Sequence, residues 1–199
     1  MTNPRKGDWL QTASGKQYWV IEPNSVDICL EDIAHHLSLN NRFLGATSAP
    51  WPVSAHALLV SHISEEAAPT ELKILAALWG LHHDSHEAYL GDPPRPIKRC
   101  GLRISDLPWS ELEVRTDVAI SIALKLPVFS ESVRSLVKLA DTRALMTEMR
   151  DLMATPPKAW NEHAQPWPAS VRQDALMPWQ EHKSLFLTRH AKLMAKLCP

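Results

Sequence analysis

The chain has 199 residues, 45% of them hydrophobic and 22% charged, the mix of an ordinary globular protein with enough length for one substantial core. A formal net charge of −1 excludes a broad electrostatic grip on polymeric nucleic acid or an anionic membrane, so any phosphate must be handled in a local pocket. Three widely spaced cysteines (Cys29, Cys100, Cys198), no apolar leader and no run of roughly 18 apolar residues lead us to expect a cytoplasmic protein without disulfides or a membrane partner.

In chain order, "GDWLQTASGKQYWVIEP" sets two short aromatic and β-branched runs around Ser14-Gly15, which predicts a small hairpin. "VDICLEDIAHHL" then spaces Ile28, Ile33, Ala34 and Leu37 for one apolar helix face, with Asn24, Ser25 or Asp27 as its cap. Ser54 ahead of "AHALLVSHI" and Thr70 ahead of "ELKILAALWGLHHDSHEAYL" are expected to cap two more helices. The second is predicted to be long, with "LHHDSHEAYLGD" in its C-terminal half, Gly91 as its stop and "DPPRPIK" as a rigid loop.

Helical periodicity returns in "WSELEVRTDVAISIAL", "SESVRSLVKLADTRALMTEMRDLM" and "WQEHKSLFLTRHAKLMAKL", while "ATPPKAWNEHAQPWPAS" reads as an exposed loop. The expected fold is mainly α with a small N-terminal β-hairpin, in a single domain. Its parts are a hairpin over 1–23, a metal-binding helical core over 24–155, a loop over 156–177 and a C-terminal helix over 178–199.

His83 and Asp84 are adjacent, and neighbouring side chains on a helix diverge by about 100°, so both reach one ion only near a helix end or with partners from other helices. His56 and Asp141 are the best partners, since each interrupts an apolar face where Leu or Ala would serve packing better. Two imidazoles and two carboxylates offset one divalent ion and suit Mn, Fe, Co, Ni or Zn better than Ca. A rival zinc pair, His82 and His86, lies one helical turn apart, but His83 stands where the zincin motif needs Glu. Among ten histidines, spacing alone also leaves open plain burial in a core.

Taken together and in order, "SAHALLVSH", "LHHDSHEAYLGDPPRPIK" and "VKLADTRAL" resemble the H…HD…D pattern of HD-domain phosphohydrolases. The resemblance is to their compact nucleotide-cleaving branch and runs over roughly residues 28–150, while "WLQTASGKQYWVIEPNSVDICLEDIAHHLS" is similar to the start of the phage dATP triphosphohydrolases. It implies His56, His83, Asp84 and Asp141 as metal ligands, Glu87 as catalytic acid or base, Arg42 as a phosphate grip, Asp92 at the deoxyribose 3'-hydroxyl and Phe43 beside the nucleoside. Ala55 departs from the Glu or Gln usual before the first ligand histidine, and "APWP" at 49–52 departs from the usual polar and aromatic stretch.

The implied activity is metal-dependent hydrolysis of 2'-deoxynucleoside phosphates to the deoxynucleoside, with dATP or another dNTP favoured over a 5'-deoxynucleotidase reading on dNMPs. A non-catalytic nucleotide-binding module is the alternative of another class. One divalent transition metal (Co, Mn, Zn, Fe or Ni) is the expected cofactor, with Mg aiding the substrate phosphates. Lys98 and Lys138 are expected to add point charges for phosphate, Lys138 because it precedes Asp141 by three residues. Glu87, four residues after His83, is placed by helical period over the ligand pair. Eight tryptophans, several in loops, lead to the expectation of a homo-oligomer.

Overall fold

A computed structural model describes residues 5–160 and 164–197, so Cys198 lies outside the described residues. It is mainly helical, with the small antiparallel pair expected near the N-terminus. Strands β1 (Trp9–Gln11) and β2 (Gln17–Trp19) pair Trp9 with Trp19 across a turn in which Gly15 takes φ +82°, a backbone state that suits glycine. Ser14 docks this turn on the first helix by donating from its amide and hydroxyl to the buried Asp32 carboxylate, at 2.8 and 2.7 Å. Behind it the buried Tyr18 stacks on Tyr89 with ring centroids 4.2 Å apart.

Helix α1 (Leu30–Leu39) buries Ile33, Ala34 and Leu37 as its periodicity predicts, but it starts later than expected. The Asn24 side chain accepts from the Val26 amide and closes a separate 3₁₀ turn over Ser25–Asp27. Ile28 then runs extended into the core and breaks continuity with α1.

Helix α2 (Val53–Ala67) packs along α3 (Lys73–His82), and α7 (Glu131–Leu152) covers both. A Cβ on Gly80 would meet Ser61 Cα and Val60 O at 3.0 Å, so this glycine permits the α2–α3 approach that sets His56 opposite His83. Helix α8 (Trp179–Leu197) packs on α1, α2 and α3 from the other side, and α6 (Trp109–Ala123) contributes Leu112, Ala119 and Ile120 to the core. Ser130 caps α7 by accepting from the Val133 amide. Neither Ser54 nor Thr70 is the cap expected of it. Pro52 and Pro69 occupy the positions before those turns, and the Ser54 hydroxyl is buried, accepting from Ser38.

The long helix expected through "LHHDSHEAYL" is broken. α3 ends at His82, and helix α4 (Glu87–Leu90) follows after turns held by i→i+3 bonds such as Ser85 N to His82 O and Glu87 N to Asp84 O. Side chains compete for the local backbone here: the His83 ring donates from Nδ1 to the Gly80 carbonyl at 2.8 Å, and His82 Nδ1 meets Ser85 Oγ at 2.9 Å. Gly91, at φ +79°, then ends α4.

The "DPPRPIK" segment is not wholly a loop either. Helix α5 (Arg95–Arg99) carries Pro96 in its first turn, where the missing N–H is not needed. Two-residue strands β3 (Arg103–Ile104) and β4 (Leu107–Pro108), too short for any periodic signal, pair beyond it. The chain after α7 is irregular but not simply exposed: Val171 and Ala175 are buried with Trp51, and the Trp167 amide donates to Thr147 Oγ1 at 2.7 Å. No helix among the described residues is long and apolar enough to cross a membrane.

Candidate metal centre and cleft

Four of the expected residues converge. His56 comes from α2, His83 and Asp84 from the end of α3, and Asp141 from the middle of α7. His56 Nε2 lies 3.3 Å from His83 Nε2, 3.2 Å from Asp141 Oδ1 and 3.7 Å from Asp84 Oδ2, and His83 Nε2 lies 3.1 Å from Asp84 Oδ2. Ligand bonds of about 2.1 Å would set neighbouring donor atoms roughly 3.0–3.4 Å apart, so His56, His83 and Asp84 lie close enough to share one ion, with Asp141 adjoining His56 and 3.9 Å from His83. The end of α3 answers the geometric objection to adjacent ligands: tightened turns let His83 and Asp84 point to one place.

Both imidazoles are oriented from behind. His83 Nδ1 donates to Gly80 O, and His56 Nδ1 donates to Glu148 Oε1 at 2.6 Å. With both Nδ1 atoms used as donors, each ring turns its Nε2 inward beside two carboxylates. Such a set calls for a cation. In the metal-free chain His56 is drawn towards taking a proton: burial and Arg42 oppose its charge, yet Glu148 and Asp141 outweigh them and raise its pKa to about 10. Burial works against the ionised forms of Asp84 and Asp141, but the two histidines hold both carboxylates below the usual range.

Glu148 is the residue sequence reasoning missed. It is fully buried, holds His56 through one oxygen and accepts from Arg42 Nε through the other at 3.1 Å. Burial disfavours its charge, but Arg42 and then His56 keep it ionised. A signal was present: Glu148 stands seven residues after Asp141, two turns along the same face of α7, among the buried Ala140, Ala144 and Leu152.

Above the cluster opens a cleft of about 760 Å³ that brings Arg42, Phe43, Glu87, Asp92 and Lys98 together with Asp84 and Asp141, and adds Lys158 and Trp160. Arg42, largely buried, extends Nη1 to within 3.7 Å of Asp84 Oδ2. Phe43 and Leu44 adopt φ of 57° and 53°, strained for non-glycine residues by about 1–2 kcal/mol each. The turn holds because the Arg42 amide donates to Trp51 O at 2.9 Å and the Ser48 amide to Leu152 O at 2.7 Å.

Glu87 sits at the edge of the cluster, almost fully buried, with Oε2 lacking a partner and Oε1 3.6 Å from Lys98 Nζ. Burial first, then the charges of Asp84 and Asp92, push its carboxyl well above the ordinary range, against the pull of Arg42 and His86. Lys98 is not free in the cleft, because it also bonds Glu113 at 2.8 Å.

Lys138 is not part of this cleft's lining; about 60° around α7 from Asp141, it lies exposed on a second groove lined by Trp79, Phe129 and Arg134 that also takes in His83 and Asp141. His82 and His86 diverge as well, so the rival zinc pair does not form. His82 turns its Nε2 to His190 Nδ1 at 2.8 Å, and burial, aided by His190 and His83, depresses its pKa. His86 faces α6, with Nδ1 3.0 Å from Asp117 and Nε2 3.6 Å from Glu113, and these acids overcome burial to raise its pKa. Asp84, His86 and Glu87 also lie close enough to share an ion, but a His86 held by two acids of α6 is a poor ligand.

Fold and site thus define a helical protein with a histidine and carboxylate cluster at the floor of a cleft lined by charges of both signs. No family model matches the chain. It is 31% identical over 200 residues to the uncharacterized protein RCAP_rcc00048 of Rhodobacter capsulatus, covering 96% of this chain and 98% of that protein. It is 36% identical over 145 residues to the uncharacterized protein YfdR of Escherichia coli, covering 72% of each. The chain belongs to the family of these two proteins.

Proposed function

We propose that the protein is a metal-dependent phosphohydrolase of the HD-domain type, cleaving 2'-deoxynucleoside phosphates to the deoxynucleoside. The observation that carries this reading is the convergence of two imidazole Nε2 atoms and two carboxylates below a cleft that also holds Arg42 and a buried, proton-loving Glu87. His56, His83, Asp84 and Asp141 would hold a divalent ion such as Co, Mn, Zn, Fe or Ni. When bound, that ion supplies Lewis-acid activation of water and charge for the phosphoryl group.

The chain's own residues supply the rest. Arg42, oriented by Glu148, offers its guanidinium to phosphate oxygens, and Lys98 adds positive charge beside Glu87. The raised proton affinity of Glu87 suits it to take a proton from the attacking water and return it to the leaving 5'-oxygen. The water oxygen–phosphorus bond forms, the phosphorus–O5' bond breaks, and the proton leaves on the deoxynucleoside. This bond is the same in a dNTP and a dNMP. The likeness of the N-terminal segment to the phage enzymes favours dATP or another dNTP, and Asp92, in the cleft wall, is assigned to the sugar 3'-hydroxyl.

Each dNTP and dNMP incubated with metal-stripped and metal-reloaded protein tests the reading. Release of deoxynucleoside only after reloading is expected, with triphosphate or orthophosphate as the co-product that identifies the substrate. Base-independent release of orthophosphate from inorganic polyphosphate alone would sink it.

A further inference from the structure

We propose that Phe43 and Trp160 are the two jaws of a slot for the flat base of the nucleotide, with Trp160 setting affinity for the base. This rests on the deoxynucleotide reading above. The two rings are neighbours in the cleft lining, with centroids 6.4 Å apart and planes tilted by 44°. A base stacked at roughly 3.4 Å from each ring needs about 7 Å, so a small swing of either side chain opens the slot to the required width.

Placement favours a ligand that carries phosphate beside a flat group. Arg42, the phosphate grip, is the immediate neighbour of Phe43, and its guanidinium carbon lies 5.2 Å from the Phe43 ring centroid. Both rings are half-buried and line the cleft, and Phe43 also rests against the buried cluster of Trp51, Ala55 and Leu152. The unfavourable left-handed backbone at Phe43 is maintained by bonds on both sides of its turn. One of these, Ser48 N to Leu152 O, ties the turn to the end of α7, from which the Trp160 segment departs. The Phe43 side of the slot is therefore fixed to α7 through backbone, and Trp160 follows eight residues after Leu152.

The test is calorimetric titration of dAMP and of 2-deoxyribose 5-phosphate into the full-length, metal-loaded Glu87→Gln protein, with and without changes at Trp160. Trp160→Ala is expected to weaken dAMP binding about ten- to thirtyfold and leave the base-free sugar phosphate unaffected, while Trp160→Phe stays within about threefold of the parent. The slot is overturned if Trp160→Ala binds dAMP as the parent does, if both ligands weaken equally, or if the parent prefers dAMP no more than the sugar phosphate. Base-dependent binding in a protein that cleaves no nucleotide would overturn the proposed function and spare the slot. Turnover of nucleotides with unchanged dAMP binding in Trp160→Ala would do the reverse.

Discussion

The floor of the cleft and its wall are built from different materials. The floor hangs on helices: His56 on α2, Asp141 and Glu148 on α7, and His83 and Asp84 at the end of α3, with His56 and Glu148 fully buried and the other three half-buried. The wall comes from short or irregular chain: Phe43 from a strained turn, Lys98 from the five-residue α5, and Trp160 from the segment after α7. Helices fix ligand positions to the accuracy a metal needs, whereas turns and loops vary without disturbing the core. Changes in the floor should strike metal, fold and chemistry together, and changes in the wall should strike binding alone.

The largest effect belongs to the floor. Asp84→Ala should lose both bound metal and deoxynucleotide hydrolysis, and Glu87→Gln should lower turnover by about 10²–10⁴ while metal content per chain stays at the wild-type value. Metal analysis alongside rate measurement separates the two. Loss of metal in Glu87→Gln would move that residue from proton handling to ligation.

Glu148 comes next and tests whether floor residues couple fold to site. Glu148→Ala leaves Arg42 and His56 facing a buried gap and should destabilise the protein by about 3–5 kcal/mol in denaturant unfolding. Glu148→Gln keeps the shape and should lose less stability, but weaken metal binding by about 10–100-fold, because a neutral amide no longer raises the basicity of His56. A Gln variant with unchanged metal affinity would show that Glu148 only fills space.

The smallest effect sharpens the comparison at the wall. Asp151, at the end of α7, accepts from Arg150 at 2.8 Å and from the Val171 amide at 2.9 Å, so it pins the irregular segment. The Arg150 hydrogen bond first, helped by Val171 and opposed by burial, lowers its pKa to about 2. A carboxyl depressed in the folded state stabilises fully above its unfolded value near 3.8, and that stability drains away as pH falls towards 2. Asp151→Asn should therefore be less stable by about 1–2 kcal/mol at pH 6, and its thermal midpoint should approach that of wild type between pH 4 and pH 2. A gap that stays constant over that interval would contradict the assignment.

The same division explains what the sequence made legible. His56 and Asp141 stood out because a polar residue on an apolar helix face is conspicuous, and the hairpin and major helices followed from periodicity and turn residues. Glu148 carried the same kind of mark and was missed because it lies seven residues from any ligand. The break after His82 was hidden, since it arises from ring-to-carbonyl bonds that compete with the helix and not from Gly or Pro. Lys138 stays near Asp141, as helical spacing requires, but on a second groove that shares His83 and Asp141 with the cluster and not on the lining of the cleft above it. Trp160 could not be found at all, because loop residues meet the site only through the tertiary path of the chain.

On the proposed function, one divalent ion held by His56, His83, Asp84 and Asp141 would make this cleft a deoxynucleotide phosphohydrolase. The most direct test of this proposal is titration of chelator-stripped protein with Co²⁺ while deoxynucleoside release from dNTPs and dNMPs is followed. No release is expected at zero metal, with a rise that saturates near one equivalent per chain and is abolished in Asp84→Ala. Full metal loading with no deoxynucleoside released from any of these substrates would contradict it.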